Sequence, residues 1–375
     1  MFGAGAWYNE SYLLRRLSSL KEPIIENEAA RRTRAHWDAL AKPPGSLGRL
    51  EEMTVRLAGI QGDTPRVRPR AVAVFAADNG VLDEGFHHVP RSVTAAQLMN
   101  MAKGDAAISV LCREADAELT LVDVGVEGDC SHPAILDRKV ARGTRNMAKG
   151  PAMTPEQAQA AFEAGVETAH MLCEKGHRII GVGEMGIGNT ATSAAVISCL
   201  CAISPEKTAG RGVGLADGML RRKKDAITQA IAVNLPDAKD PMDVIAKVGG
   251  LDIAAMAGCF TGAAQRGAAC AVDGLISAAA ALCAVRLRPD TAGHLFASHA
   301  PAEPGYGVVC TELGLRPVLE LDMRLGEGTG CPLLFLLLDA AVALFDGMAR
   351  LDTTGLRVED LMETPEPGLK GGNER

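Results

Sequence analysis

Apolar positions follow two rhythms along this chain. In the first 64 residues they are spaced for helices, with Leu47, Leu50, Leu57 and Ile60 falling near one face after the break at Pro43-Pro44-Gly45. Residues Thr64 to Arg70, with Pro65 and Pro69, read as the linker into the main domain. The pattern then changes to short continuous apolar runs, each ending in Gly or an acidic residue and each followed by a helical stretch. The runs are Ala71–Ala77, Leu119–Val124, Arg178–Val182, Ala268–Val272, His294–Ser298 and Pro317–Leu321. Unbroken apolar runs of this length suit strands covered on both faces, and their alternation with helices predicts a mostly parallel sheet with right-handed crossovers.

The expectation is an α/β protein: a Rossmann-like sheet of six strands flanked by helices, with a small helical domain built from both chain ends. Residues 1–64 form the first part of the small domain, 65–330 the Rossmann-like domain, 331–362 the C-terminal helices that complete the small domain, and 363–375 a disordered tail. The polar residues crowd behind the strands, at Asp78-Asn79-Gly80, Asp123, Gly183-Glu184, Asp273-Gly274, His299 and Glu327. In open α/β sheets the ligand sits beyond the carboxyl ends of the strands, so the unusual residues stand where a site belongs.

Composition narrows the possible partners. Aromatics are 3% of the chain and the formal net charge is -7, which leaves neither stacking platforms nor a basic face for nucleic acid. None of the ten cysteines forms a C-x-x-C pair, and most lie in apolar runs, as buried thiols in a reducing compartment do. The N-terminus lacks the basic and apolar regions of a signal peptide. The most apolar segment, Cys331 to Phe345, contains Asp339 and is short of the roughly 20 residues of a membrane span, so it reads as a buried or interface helix. A cytoplasmic protein without a membrane partner is expected.

Four segments carry candidate chemistry. Gly181 to Thr190 is glycine-rich between a predicted strand and a helix expected near Ala191, and fits either an anion-binding loop or a tight strand–helix turn. Its literal G-x-G-x-x-G at Gly181, Gly183 and Gly186 lacks the acidic strand end that a dinucleotide fingerprint needs about 20 residues on. Gly210 to Leu215 precedes Arg221, Arg222, Lys223 and Lys224, which form a solvated helix face or supply one inward lysine for a phosphate. Gly326-Glu327-Gly328-Thr329-Gly330 places a carboxylate between glycines, suited to a general base or to a helix cap. Asp78 to Val81, with Glu84 to Pro90, could line a pocket. The adjacent pair His87 and His88 is poorly arranged for a metal, and no other Cys/His cluster appears, so no metal is expected.

Together these segments resemble one family, nicotinate-nucleotide–dimethylbenzimidazole phosphoribosyltransferase. The resemblance rests on Lys42 to Glu51, Ala77 to Val81, Ser92-Val93-Thr94, Gly183 to Thr190, Gly210 to Leu215, Asp273-Gly274 with Ser277, and Gly326 to Gly330. It implies the transfer of ribose phosphate from nicotinate mononucleotide to 5,6-dimethylbenzimidazole or a related base during cobamide assembly. It implies small-molecule substrates, no cofactor, and a homodimer, with pairing to a related chain left open. It implies Glu327 as general base. Contacts to phosphate and ribose map to Gly183, Glu184, Met185, Gly186, Ile187, Gly188, Asn189, Gly212 and Lys223; Glu184 is also a candidate to steady positive charge on the sugar. Base contacts map to Asp78, His87, His88, Gln97 and Leu325, with Met185 also lining the base pocket.

The chemistry agrees with these residues. Nicotinate leaves from a pyridinium and needs no proton at nitrogen, whereas the incoming azole must lose its N–H proton, so one carboxylate base suffices. This chain departs from the family after Glu84-Gly85, where Phe86-His87-His88 replaces a small residue such as Ser and leaves the preferred base open. Two other readings remain: a dinucleotide-dependent oxidoreductase using Gly181, Gly183 and Gly186, and a non-catalytic partner subunit of the same fold.

Overall fold

The computed structural model describes residues 20–212 and 214–361. The expectations for the first 19 residues, for Val213 and for the tail from Glu363 lie outside the described residues.

Six parallel strands form one sheet in the order β3-β2-β1-β4-β5-β6. They are β1 Arg70–Ala77, β2 Glu118–Gly125, β3 Ile135–Asp137, β4 Ile179–Met185, β5 Ala269–Val272 and β6 Leu295–Ala297. β1 and β4 are buried along their whole length, as apolar runs covered on both faces require. The order reverses between β1 and β4, so the crevice at their carboxyl ends is the place a ligand is expected.

Two expectations about the strands need correction. Pro317–Leu321 is not a strand; Leu319 makes only an isolated parallel bridge to His299. The sixth strand is Ile135–Asp137, three residues beside β2, too short for a recognisable apolar run. β4 also runs to Met185 instead of stopping at Val182, and the next helix starts at Asn189, ahead of Ala191.

The chain forms two compact units. The larger holds Val67–Leu336 and the sheet. Its helices Pro155–Glu174 and Leu251–Gln265 pack so closely that a Cβ at Gly165 would meet the Ala255 backbone, and one at Gly258 the Phe162 backbone. The smaller holds Ile25–Arg66 and the chain from Leu337 onward. In it the helices Glu28–Ala39 and Arg49–Gln61 enclose Ala30, Trp37, Leu40 and Val55 against Phe345. Trp37 donates its indole N–H to Thr54 Oγ1 at 2.6 Å, and Asn27 caps the first helix by accepting from the Ala30 amide.

The helix Gly330–Gly347 starts in the larger unit and ends in the smaller. With 18 residues and a mean hydropathy of 1.7 it is long and apolar enough to cross a membrane. Yet Cys331, Leu334, Phe335, Leu338 and Ala341 along it are fully buried, the pattern of a core helix. Its bounds exceed the apolar segment seen in the sequence because Gly330 and Gly347 continue the backbone beyond the apolar side chains.

Candidate active site

Four strands deliver polar side chains to one crevice in the larger unit. Asp78 and Asn79 follow β1, Glu184 is the last residue but one of β4, Asp273 follows β5, and Ser298 and His299 follow β6, all buried. The turn Gly326–Gly330 packs directly on β4. A Cβ at Gly183 would meet Gly328 Cα at 2.5 Å, one at Gly181 would meet Cys331 Cβ at 2.5 Å, and one at Gly326 would meet Glu184 Oε1 at 2.5 Å. The glycine-flanked segments around Glu184 and Glu327 are therefore neighbours.

This packing corrects the reading of the glycine motif. Gly181 and Gly183 are strand residues on β4, and their missing side chains make room for the Glu327 turn. A dinucleotide fingerprint needs those positions in the loop, so only Gly186–Gly188 remains as a glycine turn before the helix Asn189–Leu200. In that turn Ile187 gives its amide to Thr94 Oγ1 at 3.3 Å. A Cβ at Gly186 would collide with the Ala77 carbonyl oxygen.

Glu327 is buried and sits at φ 62, a left-handed conformation uncommon outside glycine, between Gly326 at φ 88 and Gly328 at φ 84. Gln97, on the helix Ser92–Lys103, donates Nε2–H to its Oε1 at 2.6 Å. Among the described residues its Oε2 has no hydrogen-bond partner. Burial raises the Glu327 pKa above the usual carboxylate value, against the pull of Gln97 and the Ile108 amide, and the Asp273 charge raises it further. Glu327 is not the cap of the following helix; Asp273 accepts the Gly330 amide at 2.7 Å. Of the two sequence readings of this carboxylate, the helix cap is not the one the structure realises.

Glu184 accepts from Asn189 Nδ2, which also reaches Asp252 Oδ2 at 3.3 Å. Burial, then the nearby Asp252 charge, pushes the Glu184 pKa up to about 8, and burial pushes Asp252 up to about 6. Burial beside a second acid thus favours the protonated form of Glu184.

Of the four basic residues on the helix Asp217–Asn234, only Lys223 turns inward. It donates to Thr190 Oγ1 and to the Gly210 carbonyl, each at 2.9 Å. Burial lowers its pKa to about 8, although the Glu303 charge works in the opposite direction. Glu303 also accepts the Gly212 amide at 2.6 Å, fixing the second glycine loop.

The remaining base-contact candidates vary in placement. Asp78 is buried and accepts the Glu127 amide at 2.8 Å. His87 is half-buried, with Nδ1 accepting the Val89 amide at 3.0 Å, so the neutral ring carries its proton on Nε2. Its pKa is lowered by burial and by the Lys223 charge, which sets it on the lysine side of the crevice. His88 is exposed, and Leu325 is 54% exposed. Met185, at the end of β4, is buried.

Two residues of the site were not singled out in the sequence, Asp252 and Glu303, and a third, Asp273, was noted behind its strand without a role. Asp273-Gly274 did carry part of the resemblance, but an acidic residue after a strand has no signature of its own. Asp252 and Glu303 carried no local signal at all, because their partners are distant in the chain. Among the described residues there is no group of His, Cys, Asp and Glu arranged to hold a metal ion.

A family model described as Phosphoribosyltransferase matches residues 23–356. The nicotinate-nucleotide–dimethylbenzimidazole phosphoribosyltransferase of Clostridium tetani is 44% identical over 339 residues, covering 90% of this chain and 92% of that one. The enzyme of the same name from Acetivibrio thermocellus is 46% identical over 316 residues, covering 84% and 90%. The crystal structure of CobT from Thermus thermophilus matches with a TM-score of 0.85 at 41% identity, over 88% of this chain and 99% of that chain. The sheet order, the paired glutamate turns and these matches agree: the chain belongs to the nicotinate-nucleotide–dimethylbenzimidazole phosphoribosyltransferase family.

Proposed function

We propose that this chain transfers the phosphoribosyl group of nicotinate mononucleotide to 5,6-dimethylbenzimidazole or a related base, releasing nicotinate and forming an α-ribazole 5′-phosphate. The observation that carries the reading is the convergence of the Glu327 turn and the Glu184 strand end in one crevice. The Glu327 carboxylate takes the N–H proton of the base while its other nitrogen forms a bond to the anomeric carbon. The bond from that carbon to nicotinate breaks, and its electron pair neutralises the pyridinium nitrogen. A base with a raised pKa inside a dry site suits this proton transfer. Placing base and nicotinate on opposite faces of the ribose supplies much of the rate.

Glu184 lies where the sugar becomes cationic, and an arriving pyridinium ribotide favours its ionised form. Lys223, Gly212 and the turn from Gly186 to Asn189 at a helix N-terminus hold the phosphate. Asp78, Gln97, His87, Met185 and Leu325 line the base side, with His88 at its exposed edge. We further take the active form to be a cytoplasmic homodimer, which a mass measurement in solution, alone and with a related chain, distinguishes from a mixed complex.

The test is incubation with nicotinate mononucleotide and a panel of benzimidazoles, purines and phenols, with mass detection of the ribotide. A ribotide from at least one base, lost in Glu327→Gln with nicotinate mononucleotide binding retained, supports the reading. No ribotide from any base, or an active Glu327→Gln, overturns it.

A further inference from the structure

We propose that Asp273 is a positioning residue for Glu327: its carboxylate clamps the turn Gly326–Gly330 through two backbone amides and so holds the Glu327 side chain where the incoming base arrives. This rests on the proposed role of Glu327 as general base.

The turn does not hold itself. Three successive residues, Gly326, Glu327 and Gly328, have positive φ, and for the glutamate among them this left-handed conformation is strained. Inside the turn the braces are the Thr329 hydroxyl and the Thr329 amide to the Gly326 carbonyl, at 2.8 and 3.1 Å, and the Cys331 amide to the Gly328 carbonyl at 3.0 Å. None of these ties it to the sheet. Asp273 does: Oδ2 accepts the Gly328 amide at 3.1 Å and Oδ1 the Gly330 amide at 2.7 Å. The two amides flank the glutamate turn. The second begins the helix Gly330–Gly347, where a carboxylate also meets the positive end of the helix dipole.

The clamp is anchored on three strands. The Asp273 amide binds Ser277 Oγ at 3.1 Å, and that hydroxyl donates to the Val182 carbonyl of β4 at 2.7 Å. Ser298, after β6, donates to the Asp273 carbonyl at 3.4 Å. His299 Nδ1 lies 3.8 Å from Asp273 Oδ1. A Cβ at Gly330 would collide with Ser298 Oγ and His299 Nδ1, so the turn seats directly on this cluster. Only a carboxylate offers acceptors to two converging N–H groups; an Asn there turns an NH2 group toward one of them.

Titratable groups reach Glu327 from each neighbouring strand end: Glu184 from β4, Asp273 from β5 and, behind Asp273, His299 from β6. On the helix side it meets the uncharged Gln97 and the Ile108 amide. Neutralising Asp273 removes a negative charge that raises the Glu327 pKa, so the acid limb of kcat moves to lower pH.

The test compares Asp273→Asn with the wild type and with Glu327→Gln. Displacing a catalytic group by about an ångström lowers rates on the order of 100-fold, so Asp273→Asn should lose about that factor in kcat. Its affinity for nicotinate mononucleotide should stay near the wild-type value, its acid limb should move down, and the double variant should be no slower than Glu327→Gln alone. A kcat close to the wild type, an acid limb that does not move, or losses that multiply in the double variant overturn the clamp. Should Asp273→Asn fail to fold, Asp273→Ser, a smaller side chain that keeps one acceptor, gives the same readouts. An active Glu327→Gln would instead refute the proposed base, and the two failures are distinguishable.

Discussion

Gln97 donates its side-chain amide to Glu327 Oε1 at 2.6 Å across 230 residues of sequence, and this bond opposes the rise that burial imposes on the Glu327 pKa. In the proposed reaction the ionised form of Glu327 is the one that accepts the proton. Its folded pKa is raised, so activity falls as pH drops through that value.

Replacing Gln97 with Leu removes a donor that favours the ionised form. A hydrogen bond to a charged group is worth about 1.5–3 kcal/mol, equivalent to about 1–2 pH units. The acid limb of kcat in Gln97→Leu is therefore expected to move up by about that much, while the rate on the alkaline plateau changes less. A pH–rate profile decides it, and a limb that stays in place contradicts the role of Gln97.

Lys223 gives a second pH signature of opposite sense. Burial brings its pKa down to about 8, so the free protein loses this positive charge as pH rises through about 8. If the lysine holds the phosphate, kcat/KM for nicotinate mononucleotide falls above that pH, because this ratio reports groups of the free enzyme. Lys223→Met should remove the alkaline limb and weaken substrate binding by about 2–3 kcal/mol, the loss of a charge-assisted hydrogen bond. Steady-state kinetics between pH 6 and 10 check both, the range being set to about two units either side of the titration.

Much of this architecture was legible in the sequence, and what was not had physical causes. Five of the six strands follow from apolar runs, because a strand covered on both faces has to be continuously apolar. β3 escaped because its three residues carry too little pattern, and Pro317–Leu321 was mistaken for a strand because it is apolar yet makes one bridge only. Glu184 and Glu327 were visible as acids next to glycine, but the meaning of Gly181 and Gly183 was not. Their role is to admit a turn that lies about 145 residues further on, and no local rule encodes such an approach. The contacts of Asp273, and Glu303 altogether, stayed hidden for the same reason: each accepts backbone amides 55 to 91 residues away.

The motif Lys42 to Glu51, which carried part of the family resemblance, has a structural use in the smaller unit. Lys42 Nζ lies 2.8 Å from Glu51 Oε1, both side chains are nearly buried, and the same oxygen accepts the Leu47 amide at 2.9 Å. Removing one member of a buried pair leaves the other charge uncompensated, at a cost of about 3–5 kcal/mol. Lys42→Ala should therefore destabilise the unit by that order, and Lys42→Met combined with Glu51→Leu should cost clearly less. Denaturant unfolding of the full chain measures it; equal losses in the two variants would show that the attraction between the charges contributes nothing beyond packing.

His87 bears on which base is used. Its Nδ1 is occupied by the Val89 amide, and burial and the Lys223 charge keep the ring neutral, so its Nε2 is a hydrogen-bond donor at neutral pH. A donor of this kind rewards a base with an exposed acceptor, and its ring removes space that a smaller residue would leave for ring methyl groups. His87→Ser is expected to shift the ratio of kcat/KM for 5,6-dimethylbenzimidazole against an acceptor-bearing base such as a purine by about tenfold towards the methylated ring, equivalent to about 1.4 kcal/mol of discrimination. His88→Ser, at an exposed position, should change the ratio much less. Competition between the two bases, with both ribotides quantified in one reaction, gives the ratio directly. An unchanged ratio in His87→Ser would place the determinant of base choice elsewhere in the pocket, with Gln97, Met185 and Leu325 the next positions to vary.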